Sequence, residues 1–208
     1  GEVSLKMRGI PSVAAQESVF AGVWMLSGVG TDAIEVAPVP SMARSRAFDP
    51  VRPARGRDAP KGPGVVNAPA LLAELADKSA TYTPGAEVHV INLTLLPHTE
   101  EDLAWLDAAL GEGAVTVLSR GYGNCRIKAT ALPHVWRVQF FNSMDTLILD
   151  TFEVTDVPEV ALAAATGDVR DEVGVLKPAV EPRTWRSISI DSALVVRSSS
   201  TPFTMSCW

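Results

Sequence analysis

The 208-residue sequence predicts an α+β protein made of two related units, each an antiparallel β-meander with flanking helices. Three observations predict it. First, the chain repeats itself. GEVSLKMRG at 1–9 matches GAVTVLSRG at 113–121, and GVW at 22–24 matches HVW at 134–136, both at an offset of 112 residues. IEVAPVPSMA at 34–43 then matches FEVTDVPEVA at 152–161 at an offset of 118. The matched stretches share eleven identities in 34 aligned positions, where unrelated sequence at average residue frequencies gives about two. Second, the second copy reads as helix, four short strands, helix, and short connections between strands favour an antiparallel meander. Third, 47% hydrophobic and 20% charged residues are the balance of a chain that buries a core.

Residues 1–43 form the first unit, read as N-terminally incomplete. Residues 44–66 form a linker, 67–166 the second unit, and 167–208 an atypical tail. The stretch ARSRAFDPVRPARGRDAPKGPG at 43–64 holds five Arg and four Pro. Such a composition disfavours helix and sheet, so a flexible connector or long surface loop is expected.

In the second unit, NAPALLAELADK begins with Asn67 as the expected N-cap, carries Pro69 in the first turn and lines up Leu71, Leu72 and Leu75 on one face. EVHVINLTLL at 87–96 reads as a strand. PHTEEDLAWLDAALGEG is a helix capped by Thr99, with acids at 100–102 in its positive first turn and Gly111 as its stop. AVTVLSRG, CRIKATAL, VWRVQFF and TLILDTFEV are the four strands, and PEVALAAAT reads as a closing helix. The tail is rich in Ser and basic residues, shows no amphipathic helix and is expected to be disordered.

Charge and motif content narrow the function classes. A net charge of −6 without a basic stripe argues against nucleic acid. The apolar runs are far shorter than the ~20 residues that cross a bilayer. Two cysteines, Cys125 and Cys207, make no disulfide framework, so a reduced cytoplasmic setting is expected. No Walker loop, dinucleotide fingerprint or zinc-ligand spacing occurs, so no cofactor and no metal is expected.

Cys125 raises the sharpest chemical question. In CRIKATA, Cys125, Ile127, Ala129 and Ala131 alternate with Arg126, Lys128 and Thr130, which puts the thiol on the apolar side of a strand. It aligns with Val13 in the first copy, the pattern of a small core residue. The competing reading is a reactive thiol. Arg120 and Arg126 flank it and would lower its pKa if the sulfur reached solvent, and His134 is the nearest base in sequence. A thiol-dependent redox enzyme or relay, or a transient iron–sulfur carrier shared between two chains, is therefore the alternative function.

The order NLTLLP, EDLAWLD, LGEG, LSRGYGNCRI, VWRVQFFNS, TLILDTFEVTDVPEVA resembles the HupH/HyaF family of accessory proteins for [NiFe]-hydrogenase expression and maturation. GEVS, QESVFAGVW and DAIEVAPVP in the first copy resemble its other half, so the likeness runs from residue 1 to about 165. The resemblance implies a cytoplasmic, non-catalytic helper that binds a hydrogenase small subunit or its precursor, alongside other accessory proteins. The residues expected to make that contact are Arg120, Tyr122, Asn124, Cys125 and Arg126 at the turn. Asn142, Ser143 and Asp145, in the six residues by which the second copy exceeds the first, are the others. A meander also offers edge strands to which a partner segment can add.

Overall fold

In the computed structural model the described residues are 3–9, 11–28, 30–120 and 124–162. They build one antiparallel sheet of nine strands. In chain order these are β1 (Val3–Met7), β2 (Val13–Glu17), β3 (Val23–Gly28), β4 (Thr31–Val36), β5 (His89–Asn92), β6 (Val115–Ser119), β7 (Asn124–Ala129), β8 (Val135–Phe141) and β9 (Leu147–Val154). Their order across the sheet is β4-β3-β2-β1-β6-β7-β8-β9-β5. Two four-stranded meanders therefore meet at β1 and β6, and β5 is added outside β9.

The join has an exact register. Leu5 lies opposite Val117, with Val3 opposite Ser119 and Met7 opposite Val115. Leu5 and Val117 are also the two residues that correspond at the offset of 112. The same correspondence recurs in both meanders. Trp24 pairs across strands with Glu35, and Trp136 with Glu153. The Trp24 indole N–H donates to Ala37 O at 2.9 Å, and the Trp136 indole N–H lies 3.2 Å from Thr155 O. Gly22 and His134 both sit at positive φ, 75° and 63°, and their carbonyls accept from Ala37 N–H and Thr155 N–H at 2.8 Å. His134 thus holds a backbone conformation that glycine adopts freely and other residues rarely do.

The pleat gives the sheet two faces. On one, Val3, Leu5, Met7, Val13, Ala15, Trp24, Val115, Val117, Cys125, Ile127, Ala129, Trp136 and Val138 form a continuous buried cluster across both meanders. It is closed by Val39 and Ala43 near the short helix α1 (Ser41–Ser45), and by Ala161 in the 3₁₀ turn Glu159–Ala161. Among the described residues the other face is covered only in the second half. There α2 (Ala68–Thr81) and α3 (Glu100–Leu110) bury Leu72, Leu75, Trp105, Leu106 and Leu110 against Ile91, Val135, Phe152 and Val154.

Four expectations need correction. The Pro/Arg-rich stretch is fastened, not free: Ala47 and Ala59 are buried, Phe48 packs edge-on against Trp136, and Arg52 bridges to Glu112. Small apolar residues set between the charges give it this anchorage. The expected strand at 87–96 ends at Asn92, whose side chain accepts from Thr94 N–H and opens a 3₁₀ turn over Leu93–Leu95. The closing helix is one 3₁₀ turn in its described part, and residues 163–166 lie outside the described residues, as does the tail. Asn67 stands at the N-cap of α2 but makes no capping bond with its side chain.

Asp102 caps in its place. It is buried on α3, and its Oδ1 accepts from the backbone N–H groups of Val66, Asn67 and Ala68 at 2.8, 3.0 and 3.0 Å. Its Oδ2 accepts from Thr99 N–H at 3.2 Å, while Thr99 Oγ1 accepts from Asp102 N–H at 2.9 Å, a reciprocal capping box. One carboxylate thereby satisfies the starts of both helices. Burial works against its ionisation, but the N–H donors of Ala68, Thr99, Val66 and Asn67 outweigh it and hold the carboxyl below its usual range.

Candidate functional site

The residues singled out in sequence come together at one end of the sheet. β6 ends at Ser119 and β7 begins at Asn124, while Asn124 lies opposite Phe141, the last residue of β8. The end of β6 and the start of β7 are therefore next to the tip between β8 and β9. The β2–β3 tip, with Val19 and Phe20 exposed, projects from the same end, because β1 runs antiparallel to both β2 and β6.

Arg120 is exposed directly after β6, and Asn124 is exposed at the start of β7. Tyr122 lies outside the described residues. Arg126 is exposed on the face opposite Cys125, with its guanidinium 5.3 Å from the centre of the Phe141 ring. At the β8–β9 tip, Asn142 Oδ1 accepts from Met144 N–H and Thr146 N–H, both at 2.9 Å, and Asp145 takes φ 57°. Asn142 is thus the builder of this turn. Ser143 and Asp145 are exposed beside Met144, which is 80% exposed. The Trp–Glu pairs of the two meanders share one register, so the six extra residues all lie beyond them. They lengthen the β8–β9 hairpin, with a bulge at Phe140/Phe141.

Cys125 does not belong to this surface. It is 3% exposed, opposite Ser119 on one side and Phe140 on the other, within the continuous core. Burial pushes its thiol up to about 12, and the Glu153 carboxylate adds to the effect. The reactive-thiol reading is thereby corrected. Arg126 points away from the sulfur, and a buried thiol that stays protonated near neutrality is not poised as a nucleophile. His134 stands at the other end of β8, its ring 4.3 Å from the Tyr82 ring and 5.5 Å from that of Phe48. Among the described residues Cys125 and His134 share no hydrogen bond. No three His, Cys, Asp or Glu side chains among the described residues are grouped to hold a metal ion.

Sequence reasoning missed a polar cleft of about 290 Å³ on the helix-covered face, lined by Arg52, Asp107, Glu112, Lys128, Arg137 and Gln139 among others. Arg137 grips Asp150 with two bonds, Nε to Oδ1 at 3.0 Å and Nη2 to Oδ2 at 2.6 Å, and Gln139 adds a third at 3.2 Å. Arg52 pairs with Asp107 at 2.6 Å, and Arg8 pairs closely with Glu112. The Arg8 hydrogen bond holds the Glu112 carboxyl below its usual range against the opposing effect of burial. Three arginines of the cleft and its rim are thereby paired with three carboxylates. The signal that could have found the cleft is the alternation of Arg137 and Gln139 with Trp136 and Val138, polar positions facing a helix-covered side.

Residues 65–181 match the family described as HupH hydrogenase expression protein, C-terminal conserved region. The chain belongs to this family. It is 65% identical over 181 residues to the hydrogenase expression/formation protein HupH of Rhodobacter capsulatus, covering 87% of this chain and 65% of that protein. Identity to HoxQ of Cupriavidus necator is 49% over 176 residues, covering 82% of this chain and 62% of that protein. Identity to the hydrogenase-1 operon protein HyaF of Escherichia coli is 30% over 171 residues, covering 79% and 59%. The chain thus spans less than two thirds of the length of these relatives. Among solved structures, the hydrogenase expression protein HupH from Thiobacillus denitrificans aligns at 35% identity, with a TM-score of 0.46, over 50% of this chain and 86% of that one. No helix among the described residues is long and apolar enough to cross a membrane.

Proposed function

We propose that this chain is a cytoplasmic, non-catalytic accessory protein that binds a [NiFe]-hydrogenase small subunit, or its precursor, during assembly, acting beside other accessory proteins. The hydrogenase expression/formation names of its relatives support the setting. The observation that carries the binding role is the row of hairpin tips at one end of the sheet. Exposed Val19, Phe20 and Met144 stand there beside Arg120, Asn124, Arg126, Ser143 and Asp145. Exposed apolar side chains spread among polar ones along one end suit a protein partner better than a small substrate. Tyr122 is included in this contact set on the sequence alone.

The two meanders are proposed to be related units, 1–43 and 67–166, joined by 44–66. The Leu5–Val117 pairing supports this, as do the matched indole bonds and matched positive-φ corners. The test is capture. A tagged form of the chain, co-expressed with the small-subunit precursor or with the large subunit, should retain the former. Arg120→Glu combined with Met144→Asp should lose it while the melting temperature stays unchanged. Retention of neither subunit, or retention unaffected by the paired substitution, would contradict the reading.

A further inference from the structure

Among the described residues the sheet's second face is finished in one half and open in the other. Positions that correspond at the repeat offsets differ sharply in exposure: Val154 is 2% exposed and Val36 77%, while Phe152 is 2% exposed and Ile34 53%. Val135 is buried, whereas Val23 is only half-buried and Met25, beside Ile34, is exposed. The difference has one cause. In the second half, β5 pairs with β9 through His89–Val154 and Ile91–Phe152, and α2 and α3 pack over the strands. Among the described residues β4 is the outermost strand of the first half, and Met25, Ile34 and Val36 are left exposed.

We infer that this open face is the seat of a second helix–strand–helix layer, built like 67–110, whose strand adds to the outer edge of β4 opposite Ile34 and Val36. The inference rests on the reading of the two meanders as related units. The pairing of Leu5 with Val117 relates the halves by a two-fold rotation normal to the sheet, and that rotation carries β9 onto β4. It therefore carries β5 to the free edge and α2–α3 onto Met25 and Ile34. A contiguous apolar strip at a sheet edge is otherwise an aggregation hazard. The length is at hand: the part of the Rhodobacter capsulatus relative outside the match is over a third of that protein. That part exceeds the span 67–110, and it is the occupant we assign.

The test separates this layer from partner binding at the tips. The unmatched part of the Rhodobacter capsulatus relative, expressed separately, is added to the full chain, and amide exchange is followed. A one-to-one complex should form, exchange at 31–36 should slow, and Ile34→Asp should weaken binding by roughly tenfold or more. Met144→Asp, at the tips, should leave this complex intact, so failure of one reading does not imply failure of the other. As a second measurement, the strand matching β4 in the intact relative should exchange more slowly than 31–36 in this chain. No complex, a complex that leaves 31–36 unprotected, insensitivity to Ile34→Asp, or self-association of this chain through 31–36 would overturn the inference.

Discussion

Asn124 on β7 lies directly opposite Phe141 on β8, and that single register brings the start of β7 beside the tip between β8 and β9. Arg120, Asn124 and Arg126 thus share an end of the sheet with Asn142, Ser143 and Asp145, twenty residues away in sequence. Within this group the roles divide. Asn142 is spent on the turn, through Met144 N–H and Thr146 N–H, whereas Ser143, Asp145 and Met144 face solvent. Asn142→Ala should therefore deform the hairpin and lower stability by about 1 kcal/mol. Ser143→Ala should leave stability unchanged within about 0.5 kcal/mol. Chemical denaturation of both variants checks the division.

Cys125 is a core residue that happens to carry sulfur. Cys125→Val, the residue at the matching place in the first copy, should fold and should cost less than about 1.5 kcal/mol, because it conserves shape and apolarity. Alkylation of the folded protein should be slow at pH 8, since a thiol raised to about 12 holds almost no thiolate there. Rapid labelling at pH 8 without unfolding would contradict the burial.

Asp102 should be the most sensitive carboxylate in the helical layer. Asp102→Ala strips buried backbone N–H groups of their acceptor at two helix starts and should cost about 3 kcal/mol. The pH dependence follows from the sign of its shift. Its folded pKa is lowered, so its contribution is fully present above the unfolded carboxylate value of about 3.9 and is lost as pH falls through the folded value. The stability gap between the native chain and Asp102→Ala should thus be constant near neutrality and close in acid. Urea titrations at several pH values measure it.

Asp150→Ala should destabilise more than Asp107→Ala. Asp150 is buried and is gripped by both Arg137 and Gln139, whereas Asp107 is largely exposed where it meets Arg52. Removing the buried partner strands a part-buried guanidinium and should cost about 3 kcal/mol. Removing the exposed one should cost less than about 1 kcal/mol. Thermal melts of the two variants rank them.

Much of the fold was legible because local signals were consistent. The alternation around Cys125 placed its side chain correctly, and Thr99 with its acids marked the start of α3. What was not legible depends on distant partners. Asp102 reads in sequence as one of three acids favouring a helix dipole, and only the approach of residues 66–68 makes it the cap of a second helix. The stretch 44–66 reads as unpackable because Arg and Pro dominate its composition, yet Ala47, Phe48 and Ala59 suffice to fasten it. The junction of β1 with β6 is likewise a non-local pairing, and no residue of either strand announces it. For the candidate site, the sequence sets Cys125 among the turn residues while its alternation with Arg126 and Lys128 puts it on the apolar side, and the structure follows the alternation.

The central claim is that the hairpin-tip end of the sheet holds a hydrogenase small subunit or its precursor. Site-specific photocrosslinking tests it most directly, with the crosslinker at Met144 in one sample and at Phe20 in another, in cells making the hydrogenase. The account predicts a crosslink to the small-subunit polypeptide from Met144, abolished by Arg120→Glu. Crosslinks confined to the large subunit, or none from either tip position while the small subunit is present, would contradict it.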